Sequence, residues 1–158
     1  MNTIAFSLMR QKNRGRANKM AGGLFVDSSA WYPLTVPRHP DHAALKDALT
    51  ARLQTGVRVT TTNLVIAESQ ALILKRVGFN VALEFVRRVR TPPSSVMYST
   101  ASLEDRAISD WISKFHDQRF SLTDAVSFAV MTDLGITEAL TLDRHFATAG
   151  FTVLPPLN

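Results

Sequence analysis

Short apolar runs alternate with longer amphipathic stretches along the chain. Leu24-Phe25-Val26 is an unbroken apolar triplet ended by Asp27-Ser28-Ser29, as expected of a strand buried on both faces. Pro33, Pro37 and Pro40 then break the chain, and Asp41 is placed to cap a helix running to about Gln54, where Ala44, Leu45, Ala48, Leu49 and Leu53 recur at helical spacing. Gly56 stops it, and Val57 to Thr61 reads as a second strand. Leu64 to Val77 is the next helix, closed by Gly78, and Asn80 is a candidate cap for another that reaches Val89 before Pro92-Pro93. Val96-Met97-Tyr98 is a third strand candidate, and Ser102 is placed to cap a helix through Trp111 to Phe115. Ser121 or Thr123 opens a further helix that ends at Gly135. Ala139 to Leu142 is a fourth strand, and Val153-Leu154 a small edge strand.

Strands and helices alternate, and no hairpin signal joins two strands. That pattern predicts an α/β fold, with a parallel sheet of four to five strands flanked by helices on both faces. A chain of 158 residues, 46% apolar and 20% charged, suits one such domain. Cysteine is absent, which excludes disulfides, thiolate zinc sites and a cysteine nucleophile and fits a cytoplasmic location. No apolar stretch approaches the ~20 residues that span a bilayer.

The net charge of +5 belongs to one end. Residues 1–22 carry Arg10, Lys12, Arg14, Arg16 and Lys19 and no acid, so the remainder is formally neutral. We expect a basic, disordered extension over 1–22, with Met20 a natural alternative start, ahead of a single domain over 23–158.

Four acids stand beside apolar runs. Asp27 and Asp143 each follow a predicted strand, Asp124 lies in the first turn of a helix, and Glu68 in the first half of another. Singly, each has a structural reading: Asp124 favours a helix amino end, Asp143 starts a turn, and Glu68 occupies a solvated face. Together they mean more. In open parallel sheets the carboxyl ends of strands and the amino ends of the following helices share one rim, where ligands bind. Four carboxylates gathered there would repel one another, and oxygen ligands of this kind suit Mg²⁺ or Mn²⁺.

The motifs around these acids carry a resemblance. Phe25-Val26-Asp27-Ser28-Ser29-Ala30-Trp31-Tyr32 looks like the opening motif of the PIN-domain nucleases, and Thr61-Thr62-Asn63-Leu64-Val65-Ile66-Ala67-Glu68 resembles their second. Ser121-Leu122-Thr123-Asp124-Ala125 and Leu140-Thr141-Leu142-Asp143-Arg144-His145-Phe146 resemble the third and fourth. The similarity runs from about Leu24 to Leu154, and small single-domain members of the family are most often VapC-type ribonuclease toxins.

The resemblance implies a PIN-like fold and a ribonuclease that uses Mg²⁺ or Mn²⁺. Asp27, Glu68, Asp124 and Asp143 would be its catalytic and metal-binding acids, supported by the polar side chains of Ser29, Asn63 and Thr141. It also implies an RNA substrate, a cognate antitoxin and a homodimer, with no membrane attachment. Arg87, Arg88 and Arg144 are candidates to hold RNA. Trp31 and Tyr32 offer either base stacking or packing.

Two other readings stay open on the sequence alone: a PIN-like module that binds without cleaving, and a metal-dependent DNA nuclease. Phosphatases of the haloacid-dehalogenase kind place a second Asp where Ser29 stands, and no Gly-rich phosphate loop is present. His39, His42, His116 and His145 lack the spacing of a zinc site.

Overall fold

The computed structural model describes residues 22–157, so the expected basic extension lies, up to residue 21, outside the described residues. Five strands form one parallel sheet: β1 (Gly23–Val26), β2 (Arg58–Thr62), β3 (Ser94–Met97), β4 (Glu138–Leu140) and β5 (Thr152–Leu154), in the order β3-β2-β1-β4-β5. β1 is the central strand, and Leu24, Phe25 and Val26 are wholly buried, which is why their run shows no polar alternation. The chain runs outward from β1 to β2 and β3, then returns to the other side of β1 for β4 and β5. The order therefore reverses between β1 and β4, and a crevice opens at their carboxyl ends.

The helices form two groups, each packed within itself on one side of the sheet. The first holds α1 (Ser28–Thr35), α2 (His42–Gln54), α3 (Asn63–Arg76) and α4 (Phe79–Val89). The second holds α5 (Ala101–Ala107), continued as a π-turn over Ile108–Ser113, with α6 (Leu122–Leu134) and the short α7 (His145–Thr148). Trp111 from the π-turn joins Phe115, Phe128 and Phe151 in an aromatic cluster that extends to Phe120 and Phe146. Such ring pairs each contribute about 0.5–1.5 kcal/mol beyond their burial.

Several local expectations are corrected. The prolines after Asp27 do not leave an irregular segment, because α1 begins at Ser28 and contains Pro33. Asp27 caps that helix, and buried Trp31 and Leu34 anchor it, which offsets the hydrogen bond that Pro33 cannot donate. Thr100 rather than Ser102 caps α5, its hydroxyl accepting from Leu103 N at 3.2 Å. Gly78, at φ 126°, rather than Asn80, precedes α4. Asp41 stands at the start of α2 but makes no side-chain cap bond. At the end of α6, Gly135 adopts φ 64° and ψ 28°, and Ile136 N reaches Met131 O at 2.8 Å, closing the helix with a left-handed turn. That turn aims the chain directly into β4.

Candidate active site

Asp27 is delivered to the crevice by the burial of β1. Its backbone N–H donates to Leu140 O at 3.1 Å, tying it to the end of β4, and the residue is only 4% exposed. One carboxylate oxygen, Oδ2, accepts from Ser29 N at 3.1 Å, Ser29 Oγ at 2.7 Å and Thr141 Oγ1 at 3.1 Å. The two hydroxyls lie 3.0 Å apart and each is itself held from the backbone: Leu142 N donates to Ser29 Oγ and Asp143 N to Thr141 Oγ1, both at 2.9 Å. Each hydroxyl therefore spends its lone pair on an N–H and its single proton on Asp27. Among the described residues the other oxygen, Oδ1, accepts a hydrogen bond only from Ser28 Oγ, at 3.4 Å, and that hydroxyl lies closer to Glu68 Oε2, at 3.1 Å. So one oxygen of Asp27 is saturated and fixed, and its partner is left able to bind a ligand.

Asp124 reaches the same crevice from the first turn of α6. Ser121 and Asp124 form a reciprocal capping box: Ser121 N donates to Asp124 Oδ2 at 2.9 Å, and Asp124 N to Ser121 Oγ at 3.0 Å. Helix capping, the structural reading of this acid, thus coexists with a place in the cluster. Its side chain is 13% exposed. Burial raises its pKa above the ordinary 3.8; the hydrogen bonds from Ser121 oppose this, and the charges of Asp143 and Asp27 add to the rise. Asp143 follows β4 and turns the chain into α7, its Oδ1 accepting from His145 N at 2.9 Å. Glu68, in the second turn of α3, is exposed at the margin and connects to Asp27 through Ser28.

His145 is the residue that sequence reasoning set aside. Its Nδ1 lies 3.4 Å from Asp124 Oδ2 and 3.4 Å from Asp143 Oδ2, and its ring packs edge-on against Phe120. Asp124, Asp143 and His145 offer three donor atoms within 4.8 Å of one another, a group able to hold a metal ion. The available signal was the spacing Asp143-Arg144-His145, which gains meaning only once α6 is known to arrive beside it.

The remaining candidates separate. Ser29 and Thr141 lie inside the cluster. Asn63 does not join its hydrogen bonds: Asn63 Oδ1 accepts from Ser99 N at 2.7 Å and ties the start of α3 to the exit of β3. Arg144 is exposed beside Asp143, and Arg87 is exposed near the end of α4, whereas Arg88 pairs with Glu84. Trp31 is wholly buried with its ring edge against Phe85, which excludes it from base stacking; Tyr32 packs on His39 and lies under Arg76. His42 Nδ1 contacts Pro33 O, near the opposite end of α1 from Asp27, and His39 contacts its neighbour Asp41.

Among the described residues, no lysine or arginine forms an ion pair with Asp27, Glu68, Asp124 or Asp143. Half-buried like charges left without a cationic side chain, with one Asp27 oxygen free and Nδ1 of His145 unbonded, fit a divalent cation. No helix of the described residues is long and apolar enough to cross a membrane.

Comparison with known proteins agrees with this geometry. Residues 24–152 match the PIN domain. The chain is 33% identical over 141 residues to the 23S rRNA-specific endonuclease VapC20 of Mycobacterium tuberculosis, covering 84% of this chain and 98% of that protein. It is 27% identical over 139 residues to ribonuclease VapC26 of the same organism, covering 84% of this chain and all of that one. The crystal structure of VapC20, a toxin that cleaves the sarcin-ricin loop, superposes with a TM-score of 0.73 at 32% identity, over 84% of this chain and all of that chain. The chain belongs to the PIN-domain family, in its VapC ribonuclease branch.

Proposed function

We infer that this protein hydrolyses RNA phosphodiester bonds with the help of Mg²⁺ or Mn²⁺, and that Asp27, Asp124 and Asp143, with Glu68 at the margin, form its active site. The observation that carries this reading is the convergence of these carboxylates at the β1/β4 crevice with no lysine or arginine among the described residues paired to them. Asp27 through Oδ1, together with the carboxylates of Asp124 and Asp143, would hold the ion. A divalent cation supplies Lewis acidity toward water and toward the phosphate under attack.

The side chains do the rest. Ser29 and Thr141 fix Asp27 so that its free oxygen faces the crevice without rearrangement, and Ser28 does the same for Glu68. Ser121 holds Asp124 against the repulsion of its neighbours. An acidic crevice repels phosphate, so affinity for RNA comes from outside it, for which Arg144 beside Asp143 and Arg87 near the end of α4 are exposed. Attack of water on phosphorus with cleavage of the P–O3′ bond, the 3′ oxygen leaving and taking up a proton, gives a 5′-phosphate and a 3′-hydroxyl. As a VapC-type protein it acts as the toxin of a pair, restrained by a cognate antitoxin, and works as a homodimer.

The substrate to try first is large-subunit ribosomal RNA, because VapC20 is a 23S rRNA-specific endonuclease. Purified ribosomes and a mixed RNA pool are incubated with wild type and with Asp27→Asn, each with Mn²⁺ and with chelator. Asp27→Asn is expected to lower cleavage by more than about a hundredfold, beyond the loss typical of groups that only support a metal ligand. Cleavage that survives both the substitution and the chelator would remove this site from the reaction. Cleavage of DNA in place of RNA would favour the alternative nuclease.

A further inference from the structure

The contact around His145 has no role in the reading above and is chemically unusual. Nδ1 of this histidine is shielded from solvent and makes no hydrogen bond among the described residues, although two carboxylate oxygens, one from Asp124 and one from Asp143, each lie 3.4 Å away. A neutral imidazole with its proton on Nε2 presents a lone pair at Nδ1. Three lone-pair donors then face one another across a small space, which is repulsive unless a cation occupies it.

Two backbone features and one ring contact set the direction of the side chain. Its own backbone N–H donates to Asp143 Oδ1 at 2.9 Å, locking the turn that sets its direction. Phe120 packs against the ring with centroids 5.3 Å apart. α7 begins at His145, so its backbone is helical and fixed. The imidazole is thereby positioned before any ion arrives.

We propose that His145 is a nitrogen ligand of the active-site cation, binding through Nδ1 together with Asp124 and Asp143, and that it biases the site toward Mn²⁺ over Mg²⁺. The inference rests on the proposed metal site. Asp27 and Glu68 present oxygen only, and oxygen suits Mg²⁺ and Mn²⁺ alike; imidazole adds a donor that favours the transition metal. The three donor atoms lie within 4.8 Å of one another. Meeting an ion at the ~2.0–2.2 Å typical of such ligands needs only side-chain adjustment.

The test is electron spin-echo spectroscopy of the full chain loaded with Mn²⁺, alongside titrations with Mn²⁺ and with Mg²⁺. Wild type is expected to show modulation from a directly bound imidazole nitrogen. His145→Gln and His145→Ala are expected to lose that modulation while still binding Mn²⁺, about tenfold or more weakly. Their Mg²⁺ affinity should fall less. Both variants keep the backbone N–H that bonds Asp143, so the turn survives.

Bound Mn²⁺ without nitrogen modulation in wild type would overturn the proposal and leave the carboxylate site standing, with His145 a neighbour of the acids only. Modulation that persists in both variants would assign the nitrogen to another residue and also overturn it. Failure of wild type to bind Mn²⁺ at all would remove the metal site and this ligand together.

Discussion

The two halves of the crevice hold their carboxylates in opposite ways. On the β1 side, Asp27 Oδ2 receives three hydrogen bonds from Ser29 and Thr141, whose hydroxyls are in turn held by backbone N–H groups. On the α6 side, Asp124 receives the Ser121 N–H, faces Asp143, and is pushed by burial toward its neutral form. In the first half one oxygen of Asp27 is fully satisfied without a ligand. The second carries uncompensated charge that a cation would relieve. A preformed anchor beside a charge-strained partner gives a site that is rigid in geometry yet has a driving force for binding metal.

The sharpest way to break the contrast is to remove a donor from the satisfied half. Thr141 is wholly buried and serves two acids, donating to Asp27 and accepting from Asp143 N. Thr141→Val keeps the shape and removes both bonds. Cleavage and metal affinity are expected to fall about 10–100-fold. The orphaned Asp143 N–H adds about 1–3 kcal/mol of destabilisation. Thr141→Ser should restore most of each, measured by cleavage rate and urea midpoint. Equal loss in the Ser variant would point to packing by the methyl group and not to the hydroxyl.

The strained half predicts the reverse effect on stability. A carboxyl whose pKa is raised by folding keeps a proton that the unfolded chain has released, so ionisation costs the folded state more. No penalty exists below the ordinary value of 3.8, where both states are protonated, and it grows as pH rises through the raised value. Asp124→Asn keeps an oxygen to accept from Ser121 N and removes the charge. In the absence of metal it should therefore melt above wild type at pH 7, with the difference closing as pH falls below 3.8. Mg²⁺ should raise the midpoint of wild type and leave the variant's almost unmoved. A variant that melts lower than wild type at pH 7 would show that Asp124 is not under strain.

These halves were unequally legible in the sequence. Asp27 and Asp143 stood out because each ends an apolar run too short for a helix, and a parallel sheet brings strand ends to one rim without further information. The start of α6 was legible only to within Ser121 or Thr123, and the reciprocal bonds between Ser121 and Asp124 decide for Ser121. α1 was hidden because Pro33 reads as a breaker, while the burial of Trp31 and Leu34 that sustains the helix is a tertiary fact. His145 was hidden because its partner Asp124 lies on α6, and only the packing of α6 against α7 brings the ring between two acids. Asn63 differs again: its motif position resembles the family's, while its carboxamide oxygen accepts from Ser99 N.

Asn63 supplies the smallest expected effect and a boundary for the site. Its carboxamide oxygen accepts from Ser99 N at 2.7 Å, which joins the first residue of α3 to the segment leaving β3. α3 also carries Glu68, so this bond could matter to the site only by setting the helix that presents that acid. The start of α3 has a second fastening, however: Thr62 caps it, its hydroxyl accepting from Val65 N at 3.1 Å. With that cap intact, Asn63→Ala should leave Glu68 in place. The expected cost is about 1 kcal/mol of stability, the net worth of one partly buried hydrogen bond. Cleavage per folded molecule and Mn²⁺ affinity should be unchanged. A large loss of metal affinity in a protein of unchanged melting temperature would instead bring Asn63 into the site and extend the crevice across β2 toward β3.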